Sequence, residues 1–142
     1  MTLGRVFVDT GAWFALQVQD DEHHEAARTT FPSLLRACHS IVTSNLIVGE
    51  TYTLLRVTKG YAAARRFLEK IVQSPKLERL FITEAVERQA YDLLHRYTDH
   101  PFSFVDATSF ALTRQQRIRH AFAFDRHFAT AGFLRIPGDL QL

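Results

Sequence analysis

Short apolar runs that end on turn residues, each followed by an amphipathic stretch of helical length, constrain the fold of this chain more than any other feature. Arg5 to Val8 is a β-branched and aromatic run that reads as a buried strand, and Thr10-Gly11 break it. Ser40 to Thr43, Leu80 to Ile82, Ala121 to Phe124 and Phe133 to Ile136 repeat the pattern. Between these runs the spacing predicts helices. Ala12 to Val18 forms the first, and the acidic segment Asp20 to Glu25 starts a second that runs toward Cys38. Ser44 or Asn45 caps a third, with Leu46, Gly49, Thr53 and Val57 on one face. Tyr61 to Gln73 stops at Ser74-Pro75, a further helix runs from Thr83 toward Tyr97, and Ser103 opens the last. Strands alternating with helices predict an α/β fold: a three-layer α/β/α sandwich around a mostly parallel sheet covered on both faces.

Composition excludes several classes. With 142 residues, 46% of them hydrophobic and 23% charged, the chain is expected to form one domain over residues 1–142 rather than a disordered or fibrous protein. Cys38 is its only cysteine, so an internal disulfide and a cysteine-based zinc site are both excluded. No apolar run approaches the roughly 20 residues needed to span a bilayer. Asp9 interrupts the short apolar stretch near the N-terminus, which therefore does not read as a signal peptide. A cytoplasmic protein without a membrane partner is the expectation. The net charge of +2 names no partner by itself.

The distribution of the 15 acidic residues says more than their sum. Asp20, Asp21, Glu22 and Glu25 cluster in one polar segment, Glu69 lies beside Lys70 and near Arg66, Glu78 beside Arg79, and Asp92 is four residues from both Arg88 and Arg96. These are solvated or paired surface charges. Asp9, Glu50, Asp106 and Asp125 differ, because each sits in an apolar neighbourhood at the end of a strand or the start of a helix. In an open parallel sheet those positions meet in the crevice above the carboxyl ends of the strands. Carboxylates in apolar surroundings are costly unless paired or bound to a cation. A hard ion such as Mg²⁺ or Mn²⁺ resolves that conflict, and so held it can activate water and polarise a phosphoryl oxygen. The chemistry suggested is phosphodiester hydrolysis. Taken singly, each residue also has a plain reading, as a helix cap or the partner of a nearby arginine.

The ordered set Val6-Phe7-Val8-Asp9-Thr10, Gly49-Glu50, Phe102-Ser103-Phe104-Val105-Asp106-Ala107 and Phe124-Asp125-Arg126-His127-Phe128 resembles the PIN-domain family, and within it the VapC ribonuclease toxins of toxin–antitoxin pairs. The resemblance covers nearly the whole chain. It implies a Mg²⁺- or Mn²⁺-dependent endoribonuclease in which Asp9, Glu50, Asp106 and Asp125 are the catalytic and metal-binding carboxylates. Asp9 and Asp106 would be the principal ligands; Glu50 and Asp125 would complete a second ion's shell or orient water, and Thr10 would add a hydroxyl. It further implies a tRNA or rRNA substrate, a cognate antitoxin whose C-terminal segment covers the acidic cleft, and a homodimer. One departure is Ala123, where many relatives carry a polar residue two positions before the fourth acid.

Other patterns are weaker. Arg114, Arg117, Arg119 and Arg126 flank the Asp106 helix and the Asp125 strand, where they are expected to grip RNA beside the cut or to form a solvated face. The seven histidines make no ligand set, and His127, though near the acids, is expected to pack or lie on the surface. The twelve phenylalanines are expected in the core, with Phe102 as the exception near the cleft. The competing reading is a catalytically inactive PIN-like module that binds RNA or protein. Retention of all four acids speaks for the enzyme, since a binder of polyanions gains nothing from clustered carboxylates. A phosphoacceptor receiver domain is set aside, because the paired acid and the lysine it needs are missing.

Overall fold

The computed structural model describes residues 3–142; of the expected 1–142 domain, Met1 and Thr2 lie outside the described residues. The elements in chain order are β1 (Arg5–Val8), α1 (Thr10–Gln17), α2 (His24–Ala37), β2 (Ser40–Ser44), α3 (Asn45–Lys59), α4 (Tyr61–Gln73), β3 (Leu77–Leu80), α5 (Glu84–Arg96), α6 (Phe104–Gln115), β4 (His120–Phe122), α7 (Arg126–Thr130) and β5 (Leu134–Ile136). The strands form one sheet in the order β3-β2-β1-β4-β5, and every neighbouring pair is parallel. All of β2 is buried, as are Val6 to Val8 of β1. Successive strand side chains point to opposite faces, so this burial requires helices on both sides of the sheet, as the alternating pattern predicted.

Strand order also fixes where a ligand can sit. After β1 the chain moves to β2 and β3 on one side, and after β4 it moves to β5 on the other. The crevice at the carboxyl ends of β1 and β4 is therefore the topological switch point, the usual ligand position in such sheets.

Four elements depart from the sequence reading, the first being α2, which starts at His24, after most of the acidic segment Asp20 to Glu25 expected to form its first turn. The third strand is Leu77–Leu80, earlier than the expected Leu80 to Ile82. It is an edge strand whose Glu78 is bonded by Arg5 and Ser40, so its charges serve the sheet edge rather than a loop. Glu78 thus pairs with Arg5, not with its sequence neighbour Arg79. The fourth strand ends at Phe122, short of Phe124, because the chain leaves the ladder to enter α7. That five-residue helix was not anticipated, being too short to show a period.

A phenylalanine cluster anchors α7. Phe128 is fully buried, stacked on Phe7 at 6.2 Å and edge-on to Phe110 at 5.1 Å and Phe133 at 5.4 Å. Such aromatic pairs add about 0.5–1.5 kcal/mol each beyond the area they bury. By fixing Phe128 the core fixes Asp125 and His127, its near neighbours in sequence. Not every phenylalanine is internal: Phe81 is 59% exposed and Phe104 42%.

Candidate active site

Asp9 is the residue at which β1 turns into α1. Its main-chain N–H donates to Phe122 O of β4 at 3.1 Å, and its carbonyl accepts from Ala12 and Trp13 at 3.1 Å. The backbone thus starts the helix, while the Asp9 side chain makes no capping hydrogen bond. The plain reading of Asp9 as a cap fails on this point. Its carboxyl is left at the crevice between β1 and β4, only 7% exposed. Burial raises its pKa from an ordinary 3.8 to about 7, and the negative charges of Asp106, Asp125 and Glu50 push in the same direction against the opposing pull of the Thr10 N–H. The three other carboxylates are thus close enough to act on Asp9, while the group whose ligand atoms lie within 4.8 Å of one another is Asp106, Asp125 and His127, without Asp9 or Glu50.

Asp106 and Asp125 are positioned by the helices they open. Ser103 caps α6 by accepting from Asp106 N at 3.0 Å, while Asp106 Oδ2 accepts from Ser103 N at 3.0 Å, a reciprocal capping box. Asp125 caps α7 by accepting from His127 N at 2.8 Å. Both therefore do the capping expected of a helix-start aspartate and still face the crevice. Glu50 comes from α3, where its Oε1 accepts from Thr10 Oγ1 at 2.5 Å. Thr10 is thus bound to an acid of the cluster, beyond its place in the first turn of α1.

Uniform burial of the acids, the premise of the sequence argument, does not hold. Asp9 is buried and Asp106 intermediate, whereas Glu50 and Asp125 are exposed. Ile47 and Val48, the apolar residues just before Glu50, turn into the core with Thr51 and Leu55, while Leu46 and Leu54 share the exposed face of α3 with Glu50. His127 is the residue that the sequence analysis undervalued. Its Nδ1 lies 3.0 Å from Asp106 Oδ2 and 3.5 Å from Asp125 Oδ1, and Asp106, Asp125 and His127 form a group able to hold a metal ion. Its position two residues after Asp125, within a turn that Asp125 caps, was the available signal. Among the described residues no lysine or arginine lies within 4.0 Å of any of the four carboxylates. Arg135, which feels Asp125, is bonded to Asp139 instead.

The donor set fits a divalent cation. It offers carboxylate oxygens, a hydroxyl and one imidazole, with a negative charge that no lysine or arginine among the described residues contacts. A family model described as the PIN domain matches residues 6–134. The chain belongs to the PIN-domain family. A 23S rRNA-specific endonuclease, VapC20 of Mycobacterium tuberculosis, is 38% identical over 135 residues, covering 92% of this chain and 97% of that protein. Its crystal structure, described as that of a sarcin–ricin loop cleaving toxin, matches with a TM-score of 0.83 over 90% of this chain and 95% of that one. A VapC ribonuclease of Archaeoglobus fulgidus is 27% identical over 124 residues, 86% of this chain and 78% of that protein. The expected likeness to VapC ribonuclease toxins holds along nearly the whole PIN domain.

The arginines are arranged differently from expectation. Arg114, Arg117 and Arg119 line one cavity with Ile118, Gly132 and Phe133, at the C-terminal end of α6 and the start of β4. That is the opposite end of β4 from Asp125, so these three do not flank the acids. Arg126, exposed at the start of α7, does. Phe102 lies by the acidic site as anticipated, with its ring edge-on to His127 at 5.3 Å. Beside Glu50 an apolar cleft of about 670 Å³ opens between α3 and α6, lined by Leu46, Leu54, Val57, Phe104 and Val105.

Proposed function

We propose that this PIN-domain chain, residues 1–142 acting as one nuclease domain, is a divalent-metal-dependent endoribonuclease that hydrolyses RNA phosphodiester bonds. Asp9, Glu50, Asp106 and Asp125 are its catalytic, metal-binding carboxylates. The observation that carries this reading is the Asp9 carboxyl, raised to about 7 first by burial and then by the charges of Asp106, Asp125 and Glu50, with no lysine or arginine among the described residues within 4.0 Å of these carboxylates to offset them. A cluster of that kind is unfavourable alone and is relieved by a cation. Mg²⁺ or Mn²⁺ is the ion, since oxygen donors predominate. When bound, such an ion lowers the pKa of a coordinated water and polarises a phosphoryl oxygen.

The chain's own residues supply position. The β1–β4 hydrogen bond fixes Asp9, and the capping box holds Asp106 with one oxygen turned back to its own helix start. Thr10 ties Glu50 of α3 to α1, which keeps an otherwise exposed side chain at the site. Asp125 and Glu50 complete a second ion's shell or orient the attacking water. Arg126, the exposed cation next to Asp125, is placed to meet substrate phosphate.

Ribosomal RNA rather than tRNA is the substrate favoured by the likeness to a 23S rRNA-specific endonuclease. The biological setting is a cytoplasmic toxin, a homodimer silenced by a cognate antitoxin. The apolar cleft beside Glu50 supports a protein partner, because Leu54, Val57 and Phe104 are exposed there and would be covered by a segment that also blocks the acids. No helix among the described residues is long and apolar enough to cross a membrane.

The test is cleavage of purified large-subunit rRNA in Mn²⁺ or Mg²⁺, with and without chelator, beside Asp9→Asn and Asp106→Asn. Defined fragments that vanish with chelator and with either substitution are expected. Binding of the RNA with no cleavage in either ion would favour the non-cleaving module. Cleavage that survives chelation and both substitutions would overturn the metal reading.

A further inference from the structure

Among the described residues His127 is the one basic side chain in contact with the acidic cluster, and its main-chain N–H and its ring both address the cluster's aspartates. Its main-chain N–H holds Asp125 Oδ1 at 2.8 Å, and its Nδ1 lies 3.0 Å from Asp106 Oδ2 and 3.5 Å from Asp125 Oδ1. The ring is 29% exposed and held edge-on by Phe102 at 5.3 Å, while Phe128, the next residue, is locked in the core. The orientation is therefore imposed by packing, with Nδ1 turned toward both carboxylates.

From this geometry we infer that His127 Nδ1 is a direct nitrogen ligand of the metal centre, shared with Asp106 and Asp125, and that it biases the site toward Mn²⁺ over Mg²⁺. The inference rests on the divalent-metal reading above and adds to it the donor and the ion preference. The 3.5 Å approach to Asp125 accompanies that residue's cap on the His127 N–H, and a hydrogen bond accounts for the 3.0 Å contact to Asp106; what neither explains is the gathering of one ligand atom from each of the three residues within 4.8 Å. Neighbouring ligands on an octahedral ion with bonds of about 2.1 Å are roughly 3 Å apart. The 3.0 and 3.5 Å separations match that spacing, and one ligand atom from each of the three residues lies within 4.8 Å of the others. The neutral tautomer with its proton on Nε2 presents the Nδ1 lone pair for this purpose.

The ion preference follows from the donors. Mg²⁺ demands near-ideal octahedral geometry and gives up its waters reluctantly, so an imidazole is a poor exchange for an oxygen. Transition ions accept the imidazole readily, and among them Mn²⁺ also suits the carboxylates that make up the rest of the shell. The electrostatics of the site do not depend on this choice, because either ion carries the same charge.

The experiment is electron spin-echo spectroscopy of the metal-free protein loaded with Mn²⁺, made with natural-abundance and with ¹⁵N-labelled histidine, beside His127→Gln and Asp9→Asn/Asp106→Asn. Expected is a nitrogen modulation that changes with the label and disappears in His127→Gln. Titrations should show Mn²⁺ affinity falling about 10-fold or more in His127→Gln and Mg²⁺ affinity by much less. His127→Asn, smaller in the same direction, repeats the comparison if His127→Gln folds poorly, with circular dichroism as the control. Mn²⁺ bound through the aspartates but without nitrogen modulation would overturn the ligand role and leave the metal reading standing. No Mn²⁺ binding that depends on Asp9 and Asp106 would overturn both. Modulation that persists in His127→Gln would assign the nitrogen to another residue and likewise overturn the inference.

Discussion

Replacing Asp9 by asparagine should make the metal-free protein more stable at high pH while removing its activity. The buried Asp9 carboxyl sits at about 7 against an ordinary 3.8, raised first by burial and then by Asp106. A carboxyl raised on folding withdraws no stability below its unfolded value. The penalty grows as pH rises toward the folded value and is constant above it. Between about pH 5.5 and about pH 8 the unfolded chain is ionised at Asp9 throughout, whereas the folded protein passes from protonated to ionised. With 1.36 kcal/mol per pH unit over the interval in which the folded state still holds the proton, the wild type loses about 2 kcal/mol. For a chain of this size that is a fall in Tm of about 4–8 °C. Asp9→Asn mimics the protonated acid and carries no such dependence. The assay is thermal unfolding in chelator at both pH values, repeated with excess Mn²⁺. Ion saturation at about 100 times Kd should return about 2.7 kcal/mol to the wild type and little to the variant. Parallel pH profiles for the two proteins in chelator would refute the argument, since they would mean that Asp9 is ionised at low cost without a cation.

Other substitutions probe the positioning of the cluster. Asp106→Asn should lower RNA cleavage by about 10²-fold or more, as a lost metal interaction of several kcal/mol implies, while the capping-box geometry keeps Tm within a few degrees. Thr10→Val removes the hydroxyl that holds Glu50 Oε1 without changing side-chain volume much; cleavage should fall about 10-fold with a small change in Tm, and unchanged kinetics would deny Glu50 its tether. Phe128→Ala empties a fully buried position under α7 and should cost about 3–5 kcal/mol by denaturant unfolding, with weaker Mn²⁺ binding because Asp125 and His127 lose their anchor.

Much of this architecture was legible before any coordinates. The buried runs of β1 and β2 carry a strong apolar signal, and their alternation with helices implies a parallel sheet, which is what forms. β3 was misplaced because an edge strand needs only partial burial, and its Leu-Glu-Arg-Leu sequence looks like surface until Arg5 and Ser40 are found against Glu78. Asp9, Glu50, Asp106 and Asp125 are separable from the other acids by their apolar flanks; the other three all act on the charge of Asp9, and Asp106 and Asp125 lie with His127 in one tight group. The physical premise was partly mistaken, since an apolar neighbour in sequence lies on the opposite helix face at Glu50.

His127 and the arginines mark a second limit. Where a histidine points depends on α7, a single turn held by Phe128, and so small an element has no periodicity from which to infer direction. Proximity in sequence likewise placed Arg114, Arg117 and Arg119 beside the acids, although α6 and β4 carry them to the other end of the sheet. The +2 net charge therefore conceals a polarity, with carboxylates at the carboxyl ends of the central strands and a group of arginines at the opposite end.

Whether these carboxylates hold a cation is tested most directly by anomalous diffraction from crystals grown with Mn²⁺. A manganese peak is expected in the crevice between β1 and β4, within bonding distance of Asp9 and Asp106 and lost in Asp9→Asn crystals. Crystals saturated with Mn²⁺ that show no peak there, or the same peak in the variant, would contradict the metal reading.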